Sequence, residues 1–327
     1  MKYFKRRKKS ILIFIGFNLF FISTLLFLSP GTKVEIRNAL FTSEATNDYF
    51  ELSPTQLQEK YSNFLWFDAS IKDYYKSRIK QKDYIDSLTK LGIDDMSLIK
   101  KLNLYFSKNG SSDPSDCGKY SDDLIKNMIW LHSENGKGCC SDHSQVLIAY
   151  SLLANLICRE VHNIPHTFNE YYDRQLNKWV WIDPQYCLLA KGPNNNYLSL
   201  FEIKKLYSEN KKPYLIYFGL DQSMAAYISN NLINEYYNKT SFDAIRMTMG
   251  NNVFAVDSLN KKYDFLPRNI RQLYLLTTGK QPGWIFNEIG TKLKFHYNII
   301  KFSFYSFVLF CLILNICFFY YWKRTAN

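Results

Sequence analysis

Apolar positions are distributed along this chain in three ways. Two runs, Ile11 to Ser29 and Phe302 to Trp322, are continuous, mostly apolar and uncharged. Each is long enough to cross a bilayer as a helix. Between them the pattern is mixed. Upstream, 53–67 and 94–106 carry helical starts and apolar residues at helical spacing, which predicts a helical layer over Tyr49 to Phe106. A Gly, Ser, Asp and Pro cluster from Asn109 to Lys119 reads as a loop before a helix over Ser121 to His132.

A third pattern begins at Gly138. Val146, Leu147, Tyr150, Leu153, Ala154 and Leu156 follow two cysteines at helical spacing, so a helix opens at Cys139–Cys140. An apolar, β-branched stretch over 157–163 then predicts a strand. Residues 166–172 and 178–184, separated by the polar segment Asp173 to Asn177, predict a hairpin. Downstream, 198–207 and 222–237 read as helices and 252–257 as a short strand, while 266–278 and 282–290 lead back toward the second apolar run. No internal repeat or low-complexity linker divides the middle, which predicts one α+β domain.

Charge then orients the chain. Lys2, Lys5, Arg6, Arg7, Lys8 and Lys9 precede the first run, and Lys323 and Arg324 follow the second. The positive-inside tendency places both tails in the cytoplasm. The predicted order is a basic tail at 1–10, an uncleaved signal-anchor helix at 11–29, an outward-facing domain at 30–301, a second transmembrane helix at 302–322 and a tail at 323–327. This is a two-span protein of the plasma (inner) membrane. The net charge of +12 comes from 41 Lys and Arg against 29 Asp and Glu. Eight of the basic residues sit in the tails, so nucleic acid is not a predicted partner. Two uncharged spans disfavour a transporter or channel.

The candidate chemistry lies between Gly138 and Pro184. At a helix N-terminus, unpaired N–H groups and the helix dipole favour a Cys140 thiolate, and the Cys140 N–H is placed to hold an oxyanion. If the hairpin turns near Arg174 and Gln175, His166 stands directly opposite Asp183 on one sheet face, close enough for a carboxylate to orient an imidazole. A one-residue slip would separate them. Cys139 competes with Cys140 as nucleophile. His162, cut off from His166 by Pro165, reads as a loop or surface histidine. No Cys-x-x-Cys or His-Glu-x-x-His spacing is present, so neither metal nor cofactor is expected.

These residues resemble the transglutaminase-like superfamily. Cys140-Ser141-Asp142-His143 fits its Cys-x-Asp-aromatic element after a Gly-rich turn. His166-Thr167-Phe168-Asn169-Glu170-Tyr171 fits the histidine element, Trp179 to Pro184 fits the Trp and Asp-Pro element, and Arg159 takes the place of an arginine usual in the intervening strand. The chain departs from the pattern at Cys139, at His143 where an aromatic is usual, and at Phe168 where Trp is commoner. The resemblance covers about 120–190 and favours Cys140 over Cys139. It implies a papain-like core in which Cys140 attacks an amide carbonyl, His166 is base and acid, and Asp183 orients His166. The expected function is thiol-mediated acyl transfer or hydrolysis at amide bonds of a cell-envelope peptide or protein. The alternative is an inactive interaction protein of the same fold in envelope or surface-polysaccharide assembly.

Five cysteines, Cys117, Cys139, Cys140, Cys158 and Cys187, fall in the central region. One nucleophile with two disulfides is one partition. Cys158 and Cys187 as small buried apolar residues is the other.

Overall fold

The computed structural model describes residues 11–12, 14–21, 23–24, 32, 35–36, 39–40, 42–45, 50–60, 69–79, 81–107, 123–133, 138–162, 166–220, 246–248, 261–267, 270–271, 274, 284–287 and 291–326. The helix expected at 222–237 and the strand expected at 252–257 lie outside them. The chain divides into two units. One comprises residues 43–262 and 282–288, and the other 1–42, 263–281 and 289–327.

The larger unit is α+β and is built on an eight-stranded sheet of order β1-β8-β7-β2-β3-β4-β5-β6. Its strands are β1 (Thr42–Ala45), β2 (Cys158–His162), β3 (Thr167–Asp173), β4 (Lys178–Asp183), β5 (Leu188–Lys191), β6 (Tyr214–Tyr217), β7 (Arg246–Thr248) and β8 (Trp284–Asn287). Strands β2 to β6 form an antiparallel meander in chain order, and β7 pairs antiparallel with the outer side of β2. The expected strand over 157–163 and both arms of the hairpin are present. Strands β5 and β6 had no distinct signal.

Alternation gives the sheet two apolar faces. Cys158, Tyr171, Val180, Ile182 and Leu189 share one core with the helix Cys140–Leu153. Val161, Phe168, Trp179, Trp181, Leu188 and Ala190 form the other with Leu200 and Ile203 of the helix Leu200–Ser208. The Cys140–Leu153 helix is buried all round, because Ile148, Ala149 and Leu152 are covered as well as the residues at the expected spacing. Its cover is the upstream layer: Tyr75, Ile85, Leu88, Ile99, Leu102, Phe106, Met128 and Leu131 pack into the same core. That layer contains helices Ala69–Lys76, Lys82–Lys90, Asp95–Phe106 and Leu124–His132, so the helical reading of this flank holds.

The hairpin register differs from expectation in an instructive way. Glu170 pairs with Trp181 and Asn169 with Ile182, so the turn centres one residue later, within 174–177. Asp173 accounts for this. Its Oδ1 accepts the N–H groups of Gln175 at 3.1 Å and Leu176 at 2.9 Å, and Asn177 closes the turn at φ 51°, a left-handed conformation asparagine tolerates. The pairing therefore shifts by two residues. Because side chains alternate with period two, this shift preserves the face each residue occupies. His166 and Asp183 become diagonal neighbours instead of directly opposed ones.

The smaller unit contains the helix Thr291–Ala326, of which Lys294–Tyr321 is long and apolar enough to cross a membrane. The helix begins eleven residues before the expected boundary at 302. Among the described residues this is one such helix, not the expected two. The run at 11–29 is helical at 11–12, 14–21 and 23–24. It packs antiparallel on the long helix: Phe14 stacks on Phe318 at 4.4 Å, Phe21 meets Phe307 at 4.9 Å, and Asn18 Nδ2 donates to Asn315 Oδ1 at 3.1 Å.

Candidate active site

Cys140 is the first residue of its helix and Cys139 the cap before it. Asp142 fixes this start, since its Oδ2 accepts the Cys139 N–H at 3.0 Å. Gly138 is required just ahead. A Cβ there would lie 2.8 Å from Leu131 Cδ2 and 2.9 Å from Asp142 Cβ, too close for any other residue. The sequence thus delivers a thiol at the positive end of a buried helix. Cys140, Cys158 and Cys187 are free thiols, whereas Cys139 is disulfide-bonded. The Cys139 sulfur is thus engaged in a bond, while the Cys140 sulfur is free.

His166 precedes β3 and Asp183 ends β4. His166 Nε2 lies 2.7 Å from Asp183 Oδ2, and both side chains are buried. The other carboxylate oxygen, Oδ1, accepts the N–H groups of Gln185 at 3.0 Å and Tyr186 at 3.2 Å. Asp183 therefore shapes the turn into β5 and holds the imidazole at once. With Nε2 occupied by the carboxylate, Nδ1 is the nitrogen left to face Cys140, to which His166 is also hydrogen-bonded. The structure brings Cys140, His166 and Asp183 together in the order thiol, imidazole, carboxylate.

Electrostatics favour a charge-separated resting state. Burial pushes the Cys140 thiol up, but the hydrogen bond and charge of His166, with hydrogen bonds from Thr167, outweigh it and lower the thiol below its ordinary value. Burial pushes His166 down, yet Asp183 and the sulfur raise it to about 10. Both shifts favour the thiolate–imidazolium form of the pair. We expect alkylation of Cys140 by iodoacetamide, followed at its peptide by mass spectrometry, to have a midpoint below the roughly 8.5 of a free thiol. In His166→Ala the two largest opposing contributions are lost, only those from Thr167 remain against burial, and the midpoint should rise. A wild-type profile superimposed on that of the variant would remove the ion pair.

His143, at the position where an aromatic was expected, is buried beside Phe106, with ring centroids 6.0 Å apart. Burial lowers it to about 4, so it is neutral and packs as a ring. Phe168 meets Trp181 edge-on at 5.7 Å. Cys158 and Cys187 are buried thiols raised by desolvation, in keeping with the packing alternative for this pair. His162, within the strand expected over 157–163 and otherwise read as a loop or satisfied surface histidine, is half-buried with both ring nitrogens partnered. It is the last residue of β2, hydrogen-bonded to Glu160 and to Thr167. The missed signal is the alternation Glu160-x-His162 followed, after a short connection, by Thr167. Comparison with protein-family models, with curated proteins and with solved structures gives no match.

Proposed function

We propose that this protein is a membrane-anchored, transglutaminase-like cysteine enzyme, with a papain-like core, acting on amide bonds of a cell-envelope peptide or protein. The observation that carries the reading is the Cys140–His166–Asp183 row, with the thiol on a helix N-terminus and the imidazole holding the proton. The Cys140 thiolate attacks the amide carbonyl carbon, and a C–S bond forms. His166 gives its Nδ1 proton to the departing amine as the C–N bond breaks, leaving a thioester. Water then attacks, His166 takes its proton, and the C–S bond breaks to release the acid and restore the thiolate. An amine in place of water would give transamidation by the same steps. The Cys140 backbone N–H, unpaired by position in the first turn, is placed for the oxyanion.

Location follows from the flanks. The apolar 294–321 helix, the antiparallel packing of the 11–24 segment on it and the basic residues at both ends support two spans with both termini cytoplasmic. A disulfide at Cys139 is at home on the oxidising side of the membrane. A membrane-impermeant thiol-reactive probe tests both parts. In detergent-solubilised protein it should label Cys140, and His166→Ala should lose labelling at neutral pH. In intact cells the same cysteine should label without permeabilisation. Labelling only after permeabilisation would reverse the orientation, and equal labelling of wild type and His166→Ala would favour an inactive interaction protein of this fold.

A further inference from the structure

Each apolar run carries a single asparagine, Asn18 in 11–29 and Asn315 in 302–322. Asn18 lies seven residues after Ile11, and Asn315 seven before Trp322. At 1.5 Å per helical residue, each sits roughly 10 Å inside the end of its run that adjoins the basic tail, so antiparallel spans bring the two level. Both belong to the smaller unit of the chain.

The two amides meet. Asn18 Nδ2 donates to Asn315 Oδ1 at 3.1 Å. Each is also braced one turn back on its own helix: Asn18 Nδ2 donates to the Phe14 carbonyl at 2.9 Å, and Asn315 Nδ2 to the Cys311 carbonyl at 2.7 Å. Aromatic contacts bracket the bond, with Phe14 on Phe318 to one side and Phe21 against Phe307 to the other.

Hydrocarbon makes this bond selective. Lipid tails are as apolar as Leu or Phe, so apolar side chains alone give two spans little reason to choose one another or one register. An amide differs, because lipid offers it no partner and leaving it unpaired is costly. A slide of one turn would set Asn18 against Cys311 or Phe319 and leave Asn315 Oδ1 without its donor. A single polar pair on an otherwise apolar seam thus fixes the register.

We propose that the Asn18–Asn315 bond is an interspan clasp, which selects the last helix of this same chain as the partner of the first span and sets the register in which they meet. This rests on the two-span reading above and adds to it what joins the spans. The first run is then a permanent part of the assembled protein, since its removal would strand Asn315 at bilayer depth.

The test uses the full chain in native membrane vesicles, with a benzophenone amino acid in place of Phe14. On illumination it should cross-link within one chain to the peptide that contains Phe318, as read by mass spectrometry. Asn18→Leu should lower that yield about threefold or more, and Asn315→Leu similarly. The double variant should fall no further than either single change, because each removes the same bond. Yields unchanged in both single variants, or losses that multiply in full, would overturn the clasp while leaving two spans in place. Wild-type cross-links between chains instead of within one would overturn the choice of partner. Mature protein lacking the 11–29 peptide, or cross-links from position 14 to residues 43–262, would overturn the two-span reading, and the clasp with it.

Discussion

Cys140→Ala is expected to abolish turnover altogether, whereas Asp183→Asn should leave a residue of it, reduced on the order of 10⁴-fold. The alanine variant has no atom able to form the thioester, so nothing remains to be oriented. The asparagine variant is more informative. In the native site both carboxylate oxygens accept: Oδ2 faces His166 Nε2, and Oδ1 takes the N–H groups of Gln185 and Tyr186. An amide can match one side only. If its oxygen keeps the turn, its NH₂ opposes Nε2–H, and the ring must move its proton to Nδ1, where it can no longer take one from the thiol. If its oxygen keeps His166, its NH₂ opposes two backbone donors and the turn into β5 loosens. Either way the imidazole loses the negative partner that raises it, and the thiolate loses its counter-charge. Single-turnover assays with an amide substrate, once one is in hand, read the chemical step directly. Equal, complete loss in both variants would place Asp183 in the chemistry itself, and a silent Asp183→Asn would remove it from the site.

Much of this site is legible in sequence because its parts are local. The Gly138 turn, the helix opening at Cys140 and the polar gap between two β-rich runs each depend on neighbours a few residues away. The hairpin register was less legible, since its turn is fixed by the side chain of Asp173 and the left-handed Asn177, two details that apolar alternation does not encode. The error of two residues did no harm only because parity was preserved. What the sequence concealed is the pairing across β2 and β3: His162 meets Thr167 only once the strands are aligned, and Pro165 in the connection argued for separation. The all-round burial of the Cys140–Leu153 helix was likewise hidden, because its cover comes from 69–132 and no local pattern announces where a helical layer will dock.

The largest stability effect is expected at a pair the chemistry does not use. Arg159 on β2 and Glu170 on β3 are cross-strand partners with fully buried side chains. Arg159 donates from Nε and Nη2 to Glu170 Oε2 at 2.8 Å and 2.6 Å, and from Nη2 to the Phe50 carbonyl at 2.8 Å. Its guanidinium carbon sits 3.8 Å from the centre of the Trp179 ring. Glu170 Oε1 accepts the N–H of Leu200 at 2.7 Å, the first residue of the helix on that face. The pair thus ties two strands, the segment at Phe50 and a helix start into one network. Glu170→Ala strands a guanidinium in the core and orphans a helix N–H, and should cost about 3–5 kcal/mol. Replacing both, as Arg159→Met with Glu170→Leu, should cost less than the single change, because no uncompensated charge remains. Thermal unfolding of the solubilised protein, wild type against the single and the double variant, measures the difference. A double variant less stable than Glu170→Ala would show that the network contributes through its hydrogen bonds to Phe50 and Leu200 more than through the pairing of charges.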